Sequence, residues 1–535
     1  MKNLDFTIET LGSCSIESPI PLKNNIDEEH TSFVNDGEHV LYDISYYDGS
    51  DNNREDYVKG NLMEKAGPRK KIYFQPNHVH AGIITCGGLC PGLNDVIRAI
   101  VRSLWYEYGV RRITGIRYGY QGLDPANNIP FKELNPDIVD DIHRKGGTIL
   151  GSSRGGPSVE TRVDTIERMN LNTLFVIGGD GTQHGALYIA EEIKKRGLKI
   201  AVVGIPKTID NDISFIQKSF GVETAVAEAV NAVYSAHTEA KGAVDGIGLV
   251  KVMGRESGFI AAHTALATND ANFVLVPEVK FELDGPNGLL AALDKRLDKR
   301  FHAVILVAEG AGQDLLESSD DTDASGNKKL GDIGPFLANK IIEHRKKVGK
   351  PANLKYIDPS YMIRAAAATP NDSLYCARLG TNAVHAAMAG KTKVLISMWN
   401  YHLVHVPIAL AISKRKVLDP KGPLWRDVLS TSINITISAA SLANPISWVT
   451  NTRSIPSSRN SYIRSKTSDV YSGSRAEVGS SKSRYAGFIA TARHIAILCC
   501  CPPDKATGFL WECSYKLNLF NSSFACSKAN LGSIL

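Results

Sequence analysis

Short apolar runs alternate with segments of helical periodicity from about residue 68 to residue 430, and this alternation restricts the fold more than any other feature. The runs include AGIIT, TLFVIGG, KIAVVGI, GIGLVKVM and HAVILVAEG, whereas segments such as ALYIAEEIKKRG place apolar residues three or four positions apart. Strands that alternate with helices are typical of parallel sheets with crossover helices. The pattern therefore predicts an α/β protein with two Rossmann-like lobes and mostly parallel sheets. The lobe boundary is expected near residues 205–245, and the length of the region allows the chain to cross back afterwards.

The two ends of the chain differ in charge from this central region. Residues 1–65 carry 5 basic and 14 acidic side chains, which favours a flexible, acidic N-terminal extension. Residues 432–535 carry 11 Lys and Arg against 4 Asp and Glu, whereas the first 431 residues carry 50 against 52. The net charge of +5 therefore arises in this Ser-rich tail, and no nucleic acid is expected as a partner.

The sequence does not support the membrane and secretory classes of protein. No apolar run approaches the roughly 18 residues that a membrane span requires, so no membrane partner is expected. The first residues, MKNLDFTIETLGSC, lack the apolar core of a signal peptide and the Arg-rich composition of a transit peptide. The cysteines show neither metal-ligand spacing nor a disulfide framework. We therefore expect a cytoplasmic protein with reduced thiols.

Three glycine-containing turns follow predicted strands, at the ends where open parallel sheets bind ligands. Gly87 in TCGGLCPGLN precedes a helix whose first NH groups can bind phosphate, and Arg154 and Gly155 lie in TILGSSRGG. A tight strand–helix turn and a surface arginine explain these two segments equally well. The turn GGDGT, residues 178–182, is more specific, because its glycines leave room for a polyphosphate and Asp180 can hold Mg²⁺. A turn-forming role for Asp180 is the alternative.

A fourth turn, PKTIDND at residues 206–212, follows the apolar run KIAVVGI. Phosphorylation of an alcohol needs a base, and Asp210 at a rigid strand end suits this task. Asp212 is expected to support orientation or a metal, while Lys207 can neutralise charge on a transferring phosphoryl group. An Asx-rich turn without a catalytic role is the alternative. The sequence contains neither a Walker A motif nor a strand followed by G-x-G-x-x-G, which argues against P-loop and dinucleotide-binding enzymes.

Several longer motifs occur in a fixed order: GGLCPGLN, GTILGSSRGG, GGDGT, PKTIDNDI, SFGVETA, VKVMGRESGFIA, VAEGAG and YIDPSYMIR. Together they resemble the phosphofructokinase family, and most of all its plant ATP-dependent members, over about residues 66–431. The resemblance implies transfer of the γ-phosphoryl group of ATP to the 1-hydroxyl of fructose 6-phosphate, which gives fructose 1,6-bisphosphate and ADP in glycolysis. It also implies Mg²⁺ as cofactor, allosteric regulation and a homo-oligomer, a tetramer on the same grounds.

The resemblance assigns roles to residues at matching motif positions. Asp210 is the implied general base, with Lys207 and Arg255 as catalytic partners. The residues implied to bind ATP are Gly87, Arg154, Gly155, Gly179, Asp180, Gly181 and Thr182, with Asp180 also at the metal. The residues implied to bind the sugar phosphate are Thr208, Ile209, Asp210, Met253, Gly254, Arg255, Glu309, Tyr361, Met362, Ile363 and Arg364.

Two positions give opposite indications about the phosphoryl donor. Gly181 resembles the ATP-dependent members, whereas Lys207 resembles pyrophosphate-dependent members, which also carry a second aspartate where Gly181 stands. A charged side chain at this position would intrude where the rest of the nucleotide lies, so the glycine favours ATP and pyrophosphate is the alternative. A non-catalytic regulatory subunit is a further alternative, although Asp180 and Asp210 are both present. NAD and lipid kinases share GGDGT but leave PKTIDND and MGRESG without a role.

The resemblance ends abruptly at residue 431. Residues 432–535 fit a lineage-specific extension, and they fit translated intron or shifted-frame sequence at least as well. In the second case we expect a cost to stability or assembly, even though every predicted catalytic residue is present.

Overall fold

The predicted alternation of strands and helices builds two separate sheets. The computed structural model describes residues 4–21, 33–45, 61–317, 321 and 329–431. The predicted tail at residues 432–535 lies outside these described ranges. Among the helices that they contain, none combines the length and the apolar character required of a membrane span.

The strands vary from two to seven residues in length. In chain order they are β1 (Glu9–Thr10), β2 (Ile16–Glu17), β3 (His39–Leu41), β4 (Leu62–Glu64), β5 (Lys71–Ile72), β6 (His80–Thr85), β7 (Arg112–Ile116), β8 (Lys132–Glu133), β9 (Thr173–Gly178), β10 (Ala201–Pro206), β11 (Gly246–Val252), β12 (Phe273–Leu275), β13 (His302–Ala308), β14 (Asn353–Ile357), β15 (Lys391–Thr392), β16 (Val394–Trp399) and β17 (His402–Pro407).

The helices vary from four to twenty residues in length. In chain order they are α1 (Leu93–Arg102), α2 (Val159–Arg168), α3 (Asp180–Lys195), α4 (Val222–Lys241), α5 (Phe259–Thr268), α6 (Leu289–Arg300), α7 (Ile333–Lys347), α8 (Ser360–Ala365), α9 (Pro370–Met388), α10 (Ile408–Ala411) and α11 (Pro423–Thr431). A π-helical turn, Ser103–Glu107, extends α1, and short 3₁₀ turns span Pro76–His78, Gly119–Leu123, Pro125–Asn127, Ile142–Arg144 and Gln313–Leu315.

The first sheet has seven strands in the order β17-β16-β10-β9-β6-β7-β8. Its five central strands run parallel, and the edge strands β17 and β8 are antiparallel to their neighbours. β10 lies between β9 and β16, with Val203 opposite Phe175 on one side and Val394 on the other. Every residue of β9 and β10 is buried, which explains why both sequences are apolar apart from Thr173.

The second sheet has four parallel strands in the order β12-β13-β11-β14. The chain leaves the first sheet after β10 and crosses through α4 to β11. It returns through α9 and β15, which pairs with β1, to β16 and β17 of the first sheet. The two mostly parallel sheets confirm the predicted α/β fold with two lobes.

Both faces of each sheet are packed with apolar side chains. On β9, Leu174 and Val176 contribute to one apolar cluster while Phe175 and Ile177 contribute to another, as the two-residue period of a strand requires. The same alternation occurs along β11 in the second sheet. Because the faces are covered, the ends of the strands are the open positions for a ligand.

Two described parts of the predicted N-terminal extension are packed against the first lobe. β1 pairs with β15, and Phe6 is 6% exposed, with its ring against Tyr42 and Phe215. The flexibility expected from the acidic composition therefore does not extend to residues 4–21 and 33–45. Their few aromatic side chains bury apolar surface, which a count of charges does not reveal.

A buried arginine joins three elements of the second lobe. Arg345 on α7 is fully buried, and its guanidinium donates hydrogen bonds to Asp294 Oδ1 at 2.9 Å, to Asp245, and to the carbonyl of Pro351. Asp294 also lies 2.6 Å from the His344 ring nitrogen Nε2. The arrangement fixes α7 against α6 and against the segment that leads into β11.

We predict that Arg345→Met lowers the free energy of unfolding by about 3–5 kcal/mol, because it leaves two carboxylates without their shared cation. Lys350→Met is the matched control, since the pair of Lys350 with Asp298 is exposed and such pairs contribute about 0–1 kcal/mol. Urea unfolding of both variants tests this, and equal losses of stability would contradict a stabilising role for the buried ion pairs of Arg345.

Candidate active site

The strand β10 ends at Pro206, and the following turn carries the two predicted acids, Asp210 and Asp212. The Thr208 hydroxyl donates to Asp212 Oδ1 at 2.6 Å and accepts from the backbone NH of Asp210 at 3.2 Å. Asn211 adopts a left-handed conformation with φ of 58°, which asparagine tolerates, and its side chain accepts from the NH of Ser219 at 3.0 Å. The turn is therefore held by its own side chains and presents Asp210 in a defined position.

Asp210 lies where the two lobes meet. Its Oδ2 accepts from the backbone NH of Arg255 at 3.3 Å, and its carbonyl accepts from the Ser257 hydroxyl at 2.7 Å. Its Oδ1 is shielded from solvent and has no hydrogen-bond partner among the described residues. Desolvation, followed by the charges of Asp212 and Glu309, raises the pKa of Asp210 to about 7. A carboxylate with a free oxygen and a pKa near neutrality can accept a proton from a bound hydroxyl.

Lys207 links the turn to the loop that follows β6. Its side chain is buried, and its ammonium donates to the carbonyl of Gly88 at 2.7 Å. A Cβ atom added at Gly87, where φ is 84°, would lie 3.0 Å from this ammonium. Desolvation by burial lowers the pKa of Lys207. Lys207 thus places a desolvated amine next to the first predicted phosphate-binding loop.

The loop that precedes α2 completes that phosphate-binding surface. The NH of Gly87 donates to the carbonyl of Ser153 at 2.9 Å, and the Ser152 hydroxyl donates to the carbonyl of Gly87 at 2.5 Å. Arg154 and Gly155 follow on an exposed stretch in which Gly155 has φ of 71°. The two glycine-containing loops predicted from sequence are therefore adjacent in the structure.

The GGDGT turn forms the start of α3. Asp180 is the first residue of this 16-residue helix, and the NH of Thr182 donates to the carbonyl of Gly179 at 3.0 Å. A Cβ atom added at Gly181 would have no heavy atom within 4 Å, so the helix opens onto free space there. The helix N-terminus and this space suit an anion that approaches the backbone.

The donor set around Asp180 fits a metal ion that is shared with phosphates. The Asp180 side chain at the helix start is 26% exposed, and its Oδ2 lies 3.6 Å from His184 Nδ1. In residues 4–21, 33–45, 61–317, 321 and 329–431, no group of three or more His, Cys, Asp or Glu side chains is arranged to hold a metal. A small hard cation such as Mg²⁺ needs one or two protein carboxylates when phosphates and water supply the remaining ligands.

Tyr120 supports the GGDGT turn, and it lies outside all of the motifs described above. Its hydroxyl donates to the carbonyl of Thr182 at 2.7 Å, and the Arg162 guanidinium lies 4.4 Å from the ring centroid. A Cβ atom added at Gly156 or Gly185 would come within 2.7 Å of Tyr120. The repeated Tyr-Gly spacing in RYGYQGL, directly after a strand, is the only signal in the sequence that could have indicated it.

The second lobe contributes the ends of β11 and β13. Met253 is buried, Gly254 has φ of 127°, and Arg255 is half-buried beside Asp210. Glu309 follows β13, and its NH donates to the carbonyl of Val252 at 2.9 Å. A Cβ atom added at Gly310 would lie 1.8 Å from the carbonyl oxygen of Arg255. The predicted sugar-binding residues Met253, Gly254, Arg255 and Glu309 therefore surround one point, together with Asp210.

The segment Tyr361–Arg364 is brought only partly into this site. Arg364 Nε lies 3.4 Å from the sulfur of Met253, so its guanidinium adjoins the sugar-binding residues. Ile363 is fully buried in the apolar core, whereas Tyr361 and Met362 are 82% and 64% exposed. Of this segment, Arg364 is the side chain that the fold places at the site. Ile209, by contrast, packs between the apolar clusters of the two lobes.

Arg415 and Lys416 contact the turn that carries Asp210 and Asp212. Sequence spacing could not indicate this contact. The NH of Lys416 donates to the carbonyl of Asp212 at 2.8 Å, and its ammonium donates to the carbonyls of Ile216 and Gln217 at 2.9 Å. Burial lowers the pKa of Lys416 to about 8. Arg415 contacts Glu256 at 2.7 Å on the other lobe. Residues about two hundred positions away thus fix the turn that carries Asp210.

Comparisons with known proteins match residues 80–387 to the family described as Phosphofructokinase. The ATP-dependent 6-phosphofructokinase of Borreliella burgdorferi is 57% identical over 438 residues, which cover 81% of this chain and 97% of that protein. The enzyme of the same name from Amycolatopsis methanolica is 46% identical and covers 80% and 94%. ATP-dependent 6-phosphofructokinase 7 of Arabidopsis thaliana is 49% identical and covers 71% and 78%.

Solved structures with the same fold are more distant in sequence. A pyrophosphate-dependent phosphofructokinase from Nitrosospira multiformis matches with a TM-score of 0.55 at 19% identity, over 67% of this chain and 93% of that one. Phosphofructokinase from Saccharomyces cerevisiae matches with a TM-score of 0.52 at 23% identity, over 63% and 45%. These likenesses establish the fold.

We predict that Asp210 titrates near pH 7, and that Asp212→Asn lowers its pKa because a neighbouring negative charge is removed. Infrared difference spectra against Asp210→Asn can follow the carboxyl C=O stretch in both backgrounds. Glu309→Gln is expected to shift the titration in the same direction by less. A wild-type midpoint near pH 4, or an unchanged midpoint in Asp212→Asn, would contradict the arrangement described above.

Proposed function

Because the chain belongs to the phosphofructokinase family, we propose that it transfers the γ-phosphoryl group of ATP to the 1-hydroxyl of fructose 6-phosphate. Relatives that share this activity in their names are 45–57% identical to the chain, and it covers 97% of the Borreliella burgdorferi protein. The observation that carries the proposal in the structure is the position of Asp210. Its free oxygen lies at the point where the phosphate-binding loops of the first lobe meet the strand ends of the second.

Asp210 acts as the general base in the proposed reaction. As the bond between the sugar oxygen and the γ-phosphorus forms, the 1-hydroxyl proton passes to the Asp210 carboxylate. The bond between the γ-phosphorus and the bridging oxygen breaks, and ADP leaves with the electron pair. Asp212 remains hydrogen-bonded to Thr208 and keeps the turn in place during this step.

The surrounding cations stabilise charge on the transferring group. Lys207 is buried beside Gly87 and Gly88 and can neutralise charge between the ATP loops and Asp210. Arg255 lies next to Asp210 on the sugar side. Asp180 would hold Mg²⁺, which when bound neutralises negative charge on the phosphates of ATP.

The sugar phosphate lies against the second lobe in this proposal. Arg364 and Arg255 supply guanidinium groups suited to the 6-phosphate, and Glu309 supplies an acceptor for sugar hydroxyls. Met253 is buried, and its sulfur contacts Arg364. ATP occupies the loops that contain Gly87, Arg154 and the GGDGT turn.

ATP rather than pyrophosphate is the proposed donor, and the open space at Gly181 supports this choice. The nucleotide beyond the β-phosphate needs room next to the first turn of α3, and Gly181 leaves that room empty of protein atoms. The ATP-dependent names of the relatives agree with it. From family resemblance we also propose that the enzyme is cytoplasmic and forms a homo-tetramer. Analytical ultracentrifugation can test the oligomeric state.

We predict that purified protein forms fructose 1,6-bisphosphate from fructose 6-phosphate, ATP and Mg²⁺, and that Asp210→Asn lowers kcat by about 10²–10⁴-fold while ATP binding is retained. Asp298→Asn, at an exposed position on α6, is the matched control and should keep full activity. Product from pyrophosphate alone would overturn the choice of donor. No product from either donor would favour a regulatory subunit, and near-normal turnover of Asp210→Asn would exclude it as the base.

We further predict that Gly181→Asp raises KM for ATP at least about tenfold, which corresponds to about 1.4 kcal/mol, because it places a negative charge beside the nucleotide phosphates. The KM for fructose 6-phosphate should stay unchanged. Gly37→Asp is a control at another glycine with free space around its Cβ position. An unaltered KM for ATP would show that the nucleotide does not pass Gly181.

A further inference from the structure

Lys251 is a largely buried lysine near the end of β11 that the proposed mechanism does not use. Its side chain is 12% exposed, and its ammonium lies 2.9 Å from Asp332 Oδ1 and 2.9 Å from Asp358 Oδ2. It follows Val250, which is paired with Ile357 on β14. A lysine on a largely buried strand is costly to bury unless it has such partners. Hydrogen bonds to Asp332 and Asp358 outweigh the desolvation and raise the pKa of Lys251.

Asp358 connects Lys251 to the start of α8. Its Oδ1 accepts from the NH of Ser360 at 3.0 Å and from the Ser360 hydroxyl at 2.5 Å, while its Oδ2 faces Lys251. Asp358 therefore satisfies the first backbone donor of α8 with one oxygen and the lysine with the other. The second-lobe strand that leads to Met253 is in this way connected to the helix that carries Arg364.

The helix α8 is short, and it packs on α4 and against the backbone at Gly146. It has six residues, far fewer than an isolated helix needs for stability in water. Ile363 anchors it in the core, but Tyr361 and Met362 are largely exposed. At its far end, Arg364 rests on the sulfur of Met253. The capped N-terminus is therefore one of the contacts that set the orientation of Arg364, together with Ile363 in the core.

We propose that Lys251 is a positioning residue for fructose 6-phosphate: through Asp358 it fixes the start of α8 and so aims Arg364 at the sugar phosphate. The inference rests on the proposed function, because it assigns Arg364 to the 6-phosphate. Lys251 touches neither substrate in this account. Asp332, the other partner, precedes α7 and does not lead to the site, so its loss should matter less than the loss of Asp358.

The test is a steady-state comparison of Lys251→Met with wild type, Lys251→Arg and the control Lys280→Met, whose lysine is exposed. Lys251→Met should raise KM for fructose 6-phosphate about 10- to 100-fold, the effect of losing one or two charge-assisted hydrogen bonds. KM for ATP should stay within about twofold, since the nucleotide loops lie on the other lobe. Lys251→Arg should restore most of the loss, and Asp358→Asn should reproduce it more fully than Asp332→Asn.

A merely structural role predicts a different pattern. In that case Lys251→Met would lower the melting temperature and impair both substrates equally, and Lys251→Arg would give no selective rescue. Either that pattern or an unchanged KM for fructose 6-phosphate overturns the inference. Absence of turnover in the wild type would contradict the proposed function itself. The rise in melting temperature induced by fructose 6-phosphate then gives a second readout: a smaller rise in Lys251→Met supports the inference, and equal rises overturn it.

Discussion

The turn after β10 is the constraint on which the site depends, because it must hold an acid out of water at the meeting point of two lobes. Side chains within the turn support it through Thr208, Asp212 and Asn211, and Ser257 of the second lobe binds its backbone. The backbone NH of Lys416 also donates a hydrogen bond to the carbonyl of Asp212. The desolvation that raises the pKa of Asp210 follows from this enclosure and from the nearby charge of Asp212. Movement of either lobe would change the environment of the same carboxylate.

The sequence could predict those features that depend on local patterns. β9 and β10 are buried on both faces, so their apolar runs were unambiguous. Turns that need glycine, such as Gly87 with positive φ and Gly310 against the carbonyl of Arg255, could be located at strand ends. Asp180 and Asp210 could be singled out because each lies within four residues of the end of a buried strand.

Other features depend on contacts between distant residues and could not be predicted. Lys416 meets the Asp210 turn from about two hundred positions away, and Tyr120 reaches the GGDGT turn only once the sheet is formed. The resemblance grouped Ile363 with its neighbours as a sugar-binding residue, yet a helix turns each side chain by about 100°, so Ile363 faces the core while Tyr361 is exposed. The packing of Phe6 on Phe215 likewise arises from tertiary structure rather than composition.

The central claim is that Asp210 accepts the proton of the sugar 1-hydroxyl, and a crystal structure with fructose 6-phosphate and a non-hydrolysable ATP analogue tests it most directly. If Asp210 is the base, the 1-hydroxyl oxygen lies within about 2.6–3.2 Å of an Asp210 carboxylate oxygen and in line with the γ-phosphorus. A 1-hydroxyl that instead contacts another side chain, with Asp210 turned away from the sugar, would contradict it.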